Sequence, residues 1–187
     1  MQYPDYNRQM NAIRRVGQKV LLHVCCAPCT LGVMPRLMGF TVYPFYYNPN
    51  IDTKKEYDLR AAQFLKMGMQ PFICEYDHSL FLRLSEDWER EPEGGRRCRA
   101  CIAMRLERTA RQAKMIGADY FCSTLSVSPH KDVNFINEMG QVLAAKYGVA
   151  FLPNDFKKEN GFVLSAIRSK DAGLYRQNYC GCEFGRS

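Results

Sequence analysis

The feature that most constrains the fold of this chain is a fivefold alternation of short apolar segments with helix-forming ones. Strands are predicted at 19–24, 40–47, 70–76, 120–125 and 149–153. Helices are predicted at 30–38, from a cap at 52 or 53 to 68, and at 79–88, 98–116, 131–147 and 162–170. This alternation predicts an α/β fold: a doubly wound, mostly parallel sheet with helices on both faces. In such sheets, ligands bind at the carboxyl ends of the strands.

The length of 187 residues is typical of one domain. We predict a single domain over 1–187, with an N-terminal arm at 1–18 and a cysteine-containing tail at 174–187 that folds onto the site. No stretch approaches the roughly 18 uncharged apolar residues of a membrane span. The apolar run at 20–24 is too short for a secretion signal. The expected location is therefore the cytoplasm, with no membrane partner.

The nine cysteines are the side chains that say most about chemistry. They occupy positions 25, 26, 29, 74, 98, 101, 122, 180 and 182. In a reducing cytosol, an odd number of clustered thiols indicates metal ligands or redox groups rather than a disulfide framework. Cys25, Cys26 and Cys29 directly follow the first predicted strand, so we place them in the crevice at the carboxyl ends of the strands.

The spacing within the cysteine groups favours a metal centre. Cys98 and Cys101 are three residues apart at a predicted helix start, where both thiols point to one face and the helix dipole favours thiolates. Cys25 and Cys26 diverge in any regular element, so both can be ligands only from a loop, which the following Ala-Pro supports. Four thiolates suit a zinc ion or a [4Fe–4S] cluster. Seven clustered thiols exceed one zinc, which favours the cluster.

Two other interpretations stay open at this point. A structural zinc would use Cys26 and Cys29 with Cys98 and Cys101, and would suit a zinc-stabilised RNA-binding module without catalysis. A thiol–disulfide oxidoreductase would use Cys26-Ala-Pro-Cys29, which follows an apolar strand and opens a helix as thioredoxin-type active sites do. Such an enzyme needs none of the five further clustered thiols, which makes this interpretation the weaker one.

Three other residues with reactive side chains are predicted to belong to the core. Cys74 and Cys122 lie inside apolar strands, where a free thiol packs as a small hydrophobic group. His23 lies in the first predicted strand, where a histidine is usually a hydrogen-bonded core residue. None of the three is therefore expected to take part in the chemistry.

The charge of the chain points to a polyanionic partner. The 26 basic residues outnumber the 19 acidic ones, which gives a formal net charge of +7. The segment 96–114 contains one acidic residue, Glu107, and seven basic residues: Arg96, Arg97, Arg99, Arg105, Arg108, Arg111 and Lys114. A second basic group lies near the tail: Lys157, Lys158, Arg168, Lys170 and Arg176. A phosphate backbone near the cysteines would explain these groups, and a solvated helix face is the alternative.

Seven motifs in order resemble the cobalamin-independent epoxyqueuosine reductases, the QueH family. The motifs are LLHVCCAPC at 21–29, YYNPNI at 46–51, EYDLR at 56–60, CRACIAMRLERTA at 98–110, STLSVSPHKD at 123–132, DFKKENGF at 155–162 and SKDAGLYRQNYCGCEF at 169–184. They cover nearly the whole chain after the arm. The resemblance implies a single catalytic domain with a fold similar to the adenine-nucleotide hydrolase-like (HUP) folds. It also implies an oxidoreductase that converts epoxyqueuosine to queuosine at the tRNA wobble position, the last step of queuosine biosynthesis.

The resemblance also implies a cofactor and its ligands. It places a [4Fe–4S] cluster on Cys25, Cys26, Cys98 and Cys101. Cys180 and Cys182 are expected to be catalytic, either as a redox-active disulfide or, with Cys29, as ligands of a second mononuclear metal, iron or zinc. The expected partners are the anticodon stem-loop of a tRNA with a queuosine-type wobble position and an external electron donor.

Two further roles are assigned from the residues near the predicted crevice. Candidate proton donors are His130, Asp132, Asp155 and Tyr179, although Asp132 is equally suited to cap the helix that follows it. A flipped base would stack on aromatic rings. Tyr46, Tyr47 and Tyr179 are the candidates for that surface, with packing in the sheet as the alternative.

Overall fold

The computed structural model describes residues 4–185 and contains a five-stranded parallel sheet flanked by helices. The strands are β1 (Lys19–His23), β2 (Thr41–Tyr46), β3 (Phe72–Ile73), β4 (Tyr120–Ser123) and β5 (Ala150–Phe151). The α-helices are α1 (Tyr6–Asn11), α2 (Ala27–Val33), α3 (Lys54–Lys66), α4 (Ser79–Ser85), α5 (Arg96–Met115), α6 (Val133–Tyr147) and α7 (Gly161–Asp171). The predicted α/β class with a parallel sheet is confirmed.

The strand order β3-β2-β1-β4-β5 places β1 at the centre of the sheet. Val20, Leu21 and Leu22 of β1 are almost completely buried, as expected for a parallel strand covered on both faces. After β3 the chain crosses to the other side of β1 and forms β4 there. Strands β1 and β4 pair in parallel from Val20 opposite Tyr120 to His23 opposite Ser123. The carboxyl ends of these two strands therefore form the crevice in which such folds bind ligands.

Several elements have bounds that differ from the sequence-based prediction, and the third strand and helix α2 show the physical reasons. The third strand is only two residues long, Phe72–Ile73, because it is an edge strand that pairs with β2 alone and leaves both side chains exposed. Cys74 follows it and is half-buried, so the prediction that Cys74 lies inside an apolar core strand was wrong. Helix α2 begins at Ala27, three residues earlier than predicted, because Pro28 is well suited to a first helical turn.

The segment predicted to be an arm contains helix α1, which packs on the body of the domain. Met10 of this helix is completely buried in the core. The Asn7 amide donates to the Asp155 carbonyl at 3.0 Å, and its oxygen accepts from the Asp155 amide at 2.9 Å. The helix is thereby fixed to the segment after β5. Residues 1–3 of the predicted arm and 186–187 of the predicted tail lie outside the described residues.

The helices close the sheet tightly at one point that the sequence marks with a glycine. A Cβ atom at Gly140 of α6 would lie 2.5 Å from the ring of Phe151 in β5. Such a distance leaves room only for a hydrogen, so this glycine allows α6 to approach the sheet.

Within residues 4–185, no helix combines the length and the apolar character that crossing a membrane requires.

Candidate metal centre

The loop after β1 gathers three cysteines at the carboxyl end of the central strand. The Sγ atoms of Cys25, Cys26 and Cys29 all lie within 4.8 Å of one another. Cys26 is the N-cap residue of α2, with extended backbone angles, and Cys29 lies in the first turn of the helix. The irregular backbone at Cys25 and Cys26 allows two adjacent side chains to face the same point, as the sequence required.

Cys25 is also tied to the neighbouring strand. Its backbone amide donates to Thr124 Oγ1 at 3.0 Å, and the Thr124 hydroxyl donates to the Cys25 sulfur at 3.2 Å. Thr124 directly follows β4. The thiol therefore lies at the point where the two halves of the sheet diverge.

The three thiols of this group differ in pKa. Hydrogen bonds from Cys26 and Cys29, helped by the positive charge of Arg105, hold the pKa of Cys25 well below its usual range. The hydrogen bond to Cys25 raises the pKa of Cys26 to about 12, and the same kind of bond raises that of Cys29. A thiolate at Cys25 with two protonated neighbours results. A bound metal would displace those remaining protons.

Four more cysteines line a small, partly open cavity. They are Cys98 and Cys101 from the first turns of α5, and Cys180 and Cys182 from the tail. The other lining residues are Asn50, Phe81, Arg97, Ile102, Arg105 and Lys131. The lining contains cations and thiols but no carboxylate, which suits an anionic group bound through sulfur.

A set of polar contacts fixes the tail over this cavity. The Cys180 carbonyl accepts from Arg60 Nη1 at 3.2 Å and from Asn50 Nδ2 at 3.4 Å. The Gly181 carbonyl accepts from the Asp52 amide at 2.8 Å. Gly181 has a φ of 112°, in the region that favours glycine, and a Cβ there would lie 3.0 Å from Ile51. The Cys-Gly-Cys sequence thus allows the chain to turn between two thiols while lying against Arg60.

The tail thiols also divide one proton between them. A hydrogen bond from Cys182, together with the charge of Lys131, lowers the pKa of Cys180 to about 5. The hydrogen bond to Cys180, followed by burial, raises the pKa of Cys182. Cys180 is therefore a thiolate near neutral pH, and thiolates are the form that binds metals or attacks disulfides.

His23 and Ser123 form the buried floor beneath the first cysteine group. Burial, together with the charge of Arg105, lowers the pKa of His23 to about 3, so the ring is neutral. Its Nδ1 lies 2.8 Å from Ser123 Oγ, which accepts from the Leu125 amide and so donates to the ring. Its Nε2 lies 3.0 Å from the Tyr47 carbonyl and donates to it. The prediction that His23 is a hydrogen-bonded core residue is confirmed.

Comparisons with known proteins agree on one family. The family model described as "Epoxyqueuosine reductase QueH" matches residues 20–187. The chain is 39% identical to the Epoxyqueuosine reductase QueH of Streptococcus pyogenes serotype M1 over 96% of its own length and 77% of the relative. It is 36% identical to that of Thermotoga maritima over 88% of both chains. The chain belongs to the QueH family.

The cysteine groups of this QueH family member differ from the ligand sets that the resemblance implies. Cys25, Cys26 and Cys29 are the one set of three metal-binding side chains found together among residues 4–185. The resemblance instead joins Cys25 and Cys26 to Cys98 and Cys101. The cavity brings Cys98 and Cys101 together with Cys180 and Cys182. All nine cysteines are free thiols, so a Cys180–Cys182 disulfide stays a prediction.

The donor chemistry of these groups fits a metal–sulfur centre. All seven clustered donors are thiols, the soft ligands that iron–sulfur clusters and zinc prefer. Cys122, in contrast, is completely buried in the core, and burial alone raises its pKa, as predicted for a packing residue.

The candidate proton donors lie in different surroundings. His130 is exposed in a turn. Asp132 is the N-cap of α6, where it accepts from the amides of Asn134 and Phe135 at 3.1 Å and pairs with Arg99 at 3.2 Å. Between them in the chain, Lys131 lines the cavity, and sequence reasoning missed it. The sequence offers little indication of a role for Lys131, because its neighbours His130 and Asp132 are more usual proton donors.

The other two proton-donor candidates differ, because Asp155 Oδ1 is buried with no hydrogen-bond partner among the described residues, while the Tyr179 hydroxyl is paired. Asp155 is buried beside α1, and the Tyr179 hydroxyl donates to Asp52 Oδ1 at 3.1 Å. Tyr46, one of the proposed stacking residues, is completely buried, and its hydroxyl donates to the Tyr57 carbonyl at 3.0 Å. Tyr46 is therefore a packing residue, and Tyr179 is half-buried on the tail.

The basic segment of α5 separates into buried and exposed members. Arg97 and Arg105 are buried, which leaves little of either side chain for contact with a phosphate backbone. Arg96 and Arg99 are exposed in the first turn, at the cavity. Arg111 and Lys114 are also exposed, but they follow Cys98 by 13 and 16 residues. At about 1.5 Å per residue they lie roughly 20–24 Å away along the helix.

Proposed function

We propose that this chain is an epoxyqueuosine reductase, which acts on the modified wobble nucleotide of a tRNA and forms queuosine. The observation that supports this function most strongly is the cavity in which four thiols, Cys98, Cys101, Cys180 and Cys182, face Arg105 and Lys131. The reaction removes the epoxide oxygen and leaves an alkene. It takes up two electrons and two protons and releases water, so it needs an electron-transfer centre and a proton donor in one place.

The proposed cofactor is a [4Fe–4S] cluster held by Cys25, Cys26, Cys98 and Cys101, and the resemblance implies that the enzyme works without cobalamin. When bound, such a cluster supplies electrons one at a time from an external one-electron donor. Cys29, Cys180 and Cys182 form the proposed second centre, either a mononuclear iron or zinc site or a redox-active dithiol. The Cys180 thiolate, beside the protonated Cys182, is suited to either role.

The proposed proton source is the ammonium group of Lys131. Its side chain is 11% exposed, and Nζ donates to Glu93 Oε1 at 2.9 Å. His130 and Asp132, the neighbours proposed from the sequence, stay as alternatives. When one C–O bond of the epoxide breaks, its oxygen becomes an alkoxide, which is far more basic than an amine. Transfer of a proton from Lys131 Nζ to this oxygen is therefore downhill. Glu93 at the cavity rim orients the ammonium group.

We therefore expect Lys131→Met to lower turnover by about 100-fold, because proton transfer by a positioned side chain contributes on that order. Methionine keeps the length and the buried stem of the side chain. The matched control is His130→Ala, which removes an exposed ring and should change turnover less than about threefold. The measurement is single-turnover formation of queuosine at equal iron content. The opposite pattern, with His130→Ala inactive and Lys131→Met active, would assign the proton to His130.

Binding of the tRNA is proposed to use cations near the cavity, the exposed Arg96 and Arg99 and the half-buried Lys157. Arg96 and Arg99 lie at the start of α5, and Lys157 donates to the Lys131 carbonyl at 3.5 Å. We expect affinity for an anticodon stem-loop to fall steeply with salt. Arg99→Ala with Lys157→Ala should lower the slope of log K against log salt by about two, roughly one for each lost phosphate contact.

The control for this prediction is the double variant Arg111→Ala with Lys114→Ala on the same helix. It removes the same number of charges at a distance from the cavity, so its salt slope should equal that of the wild type. If the Arg99/Lys157 and Arg111/Lys114 double variants have the same salt slope, the cations near the cavity are not part of the tRNA-binding surface. The measurement is fluorescence anisotropy of a labelled stem-loop across a range of salt concentrations.

The experiment that tests the function directly is conversion of an epoxyqueuosine-containing anticodon stem-loop by the anaerobically purified protein with a chemical one-electron reductant. Formation of queuosine supports the proposal. Turnover of a small disulfide substrate without any queuosine would support the rival thiol–disulfide oxidoreductase at Cys26 and Cys29. The rival gains little from the geometry, because Cys25 lies within 4.8 Å of both thiols and makes the group a triad rather than a pair.

A further inference from the structure

Three arginines are buried among residues 4–185, and two of them have a carboxylate or several backbone carbonyls as partners. Arg60 forms an ion pair with Glu56, with Nε 2.7 Å from Oε1. Arg97 donates from Nη1 to three backbone carbonyls, those of Trp88, Glu89 and Glu91, each at 2.8 Å. Burying a charge is costly unless it is paired or fully hydrogen-bonded. Arg60 meets that condition through Glu56, whereas Arg97 is held by the three carbonyls through Nη1 and its Nε has no hydrogen-bond partner in the described part of the chain.

The third, Arg105, has no such compensation. Its side chain is buried, Nη2 donates to Asn48 Oδ1, and Nε lies 3.4 Å from Nε2 of His23. Neither an asparagine nor a histidine side chain supplies a negative charge that would balance the guanidinium. Within residues 4–185, no carboxylate lies within ion-pair distance of the Arg105 guanidinium. The fold therefore places a permanent positive charge in the interior without a negative partner from an acidic residue.

The position of Arg105 shows which anion compensates this charge. The side chain lines the cavity with Cys98, Cys101, Cys180 and Cys182. On its other side its Nε lies 3.4 Å from Nε2 of His23, two residues before the first cysteine group. The guanidinium thus lies between the two groups of thiols. Arg105 is only 5% exposed, which leaves little of its side chain for contact with a tRNA phosphate.

We propose that Arg105 is a positioning residue whose guanidinium is the counter-charge of the anionic metal–sulfur centre and raises its reduction potential. This inference rests on the proposed function, since it assumes that the thiols hold a redox cluster. A reduced cluster carries one more negative charge than an oxidised one. A fixed positive charge in a medium of low dielectric constant stabilises the reduced form more, so the potential rises.

The test compares Arg105→Met, which removes the charge, with Arg105→Lys, which keeps it. The control is Arg111→Met, which removes an exposed charge from the same helix. Each protein is purified and reconstituted anaerobically, its iron and sulfide are counted, and the midpoint potential is measured by redox titration of the cluster absorbance. None of these readouts depends on turnover of the tRNA.

We expect Arg105→Met to shift the midpoint potential to more negative values or to lose the cluster, while Arg105→Lys retains the cluster near the wild-type potential and Arg111→Met matches the wild type. Identical behaviour of the Met and Lys variants, whether both match the wild type or both lose the cluster, would overturn the inference, since the charge would then not matter. In that case a wild-type protein with a full cluster leaves the proposed function intact. A wild-type protein without iron and sulfide refutes the proposed function, and this inference with it.

Discussion

Replacement of Cys180 and Cys182 together by alanine is expected to lower queuosine formation by about 100-fold or more, with iron and sulfide retained at the level of a four-iron cluster. The reason is that the resemblance assigns the cluster to other cysteines, while the tail thiols are placed to act on the substrate oxygen or to pass the second electron. Loss of a group that touches reacting atoms costs at least this much. The measurement is single-turnover product formation beside iron and sulfide analysis.

The iron and sulfide content of the double variant is the result that can contradict this prediction. Cys180 and Cys182 line the same cavity as Cys98 and Cys101, so all four are close enough to serve one centre. If the double variant loses iron and sulfide together with activity, the tail thiols are ligands of the cluster itself. The matched control is Cys74→Ala, which removes a half-buried thiol outside both groups and should change neither quantity.

The second large effect concerns the cluster ligands. Cys25→Ser and Cys98→Ser are each expected to lose most of the bound iron and sulfide, because each removes one of four thiolates, and with them all queuosine formation. Metal binding also contributes to folding, so the apparent melting temperature should fall in the loaded protein but not in the metal-free one.

Cys29→Ser decides between the two ways of grouping the thiols. Cys29 lies with Cys25 and Cys26 in the triad, but the resemblance leaves it outside the cluster. We expect this variant to retain iron and sulfide at the level of a four-iron cluster while losing activity. A loss equal to that of Cys25→Ser would mean that the loop after β1 contributes three ligands rather than two.

The sequence was sufficient for the sheet because its signals are local. Val20–Leu22 is an uninterrupted apolar run, and Gly117 and Gly148 mark helix ends, so each element could be recognised from its own residues. The third strand was predicted too long for the same reason. Its apolar residues gave a strand signal, but only pairing with β2 decides its length, and an edge strand pairs on one side.

The site was harder to predict because it depends on contacts between distant parts of the chain. The sequence predicted that the cysteine-containing tail folds onto the site, but not the contacts of Cys180 and Gly181 with Arg60 and Asp52 that hold it there. It also could not separate buried from exposed cations. Arg105 and Arg111 are both arginines on one helix, and only the fold shows that Arg105 faces the thiols.

The measurement that tests the account most directly is the content of iron, zinc and acid-labile sulfide in the anaerobically purified protein, recorded with its absorbance near 400 nm. The account predicts about four irons and four sulfides per chain, with any iron beyond four assigned to the second centre. One zinc without sulfide would contradict it in favour of a zinc-stabilised RNA-binding module. Complete absence of metal would contradict it in favour of a dithiol enzyme at Cys26 and Cys29.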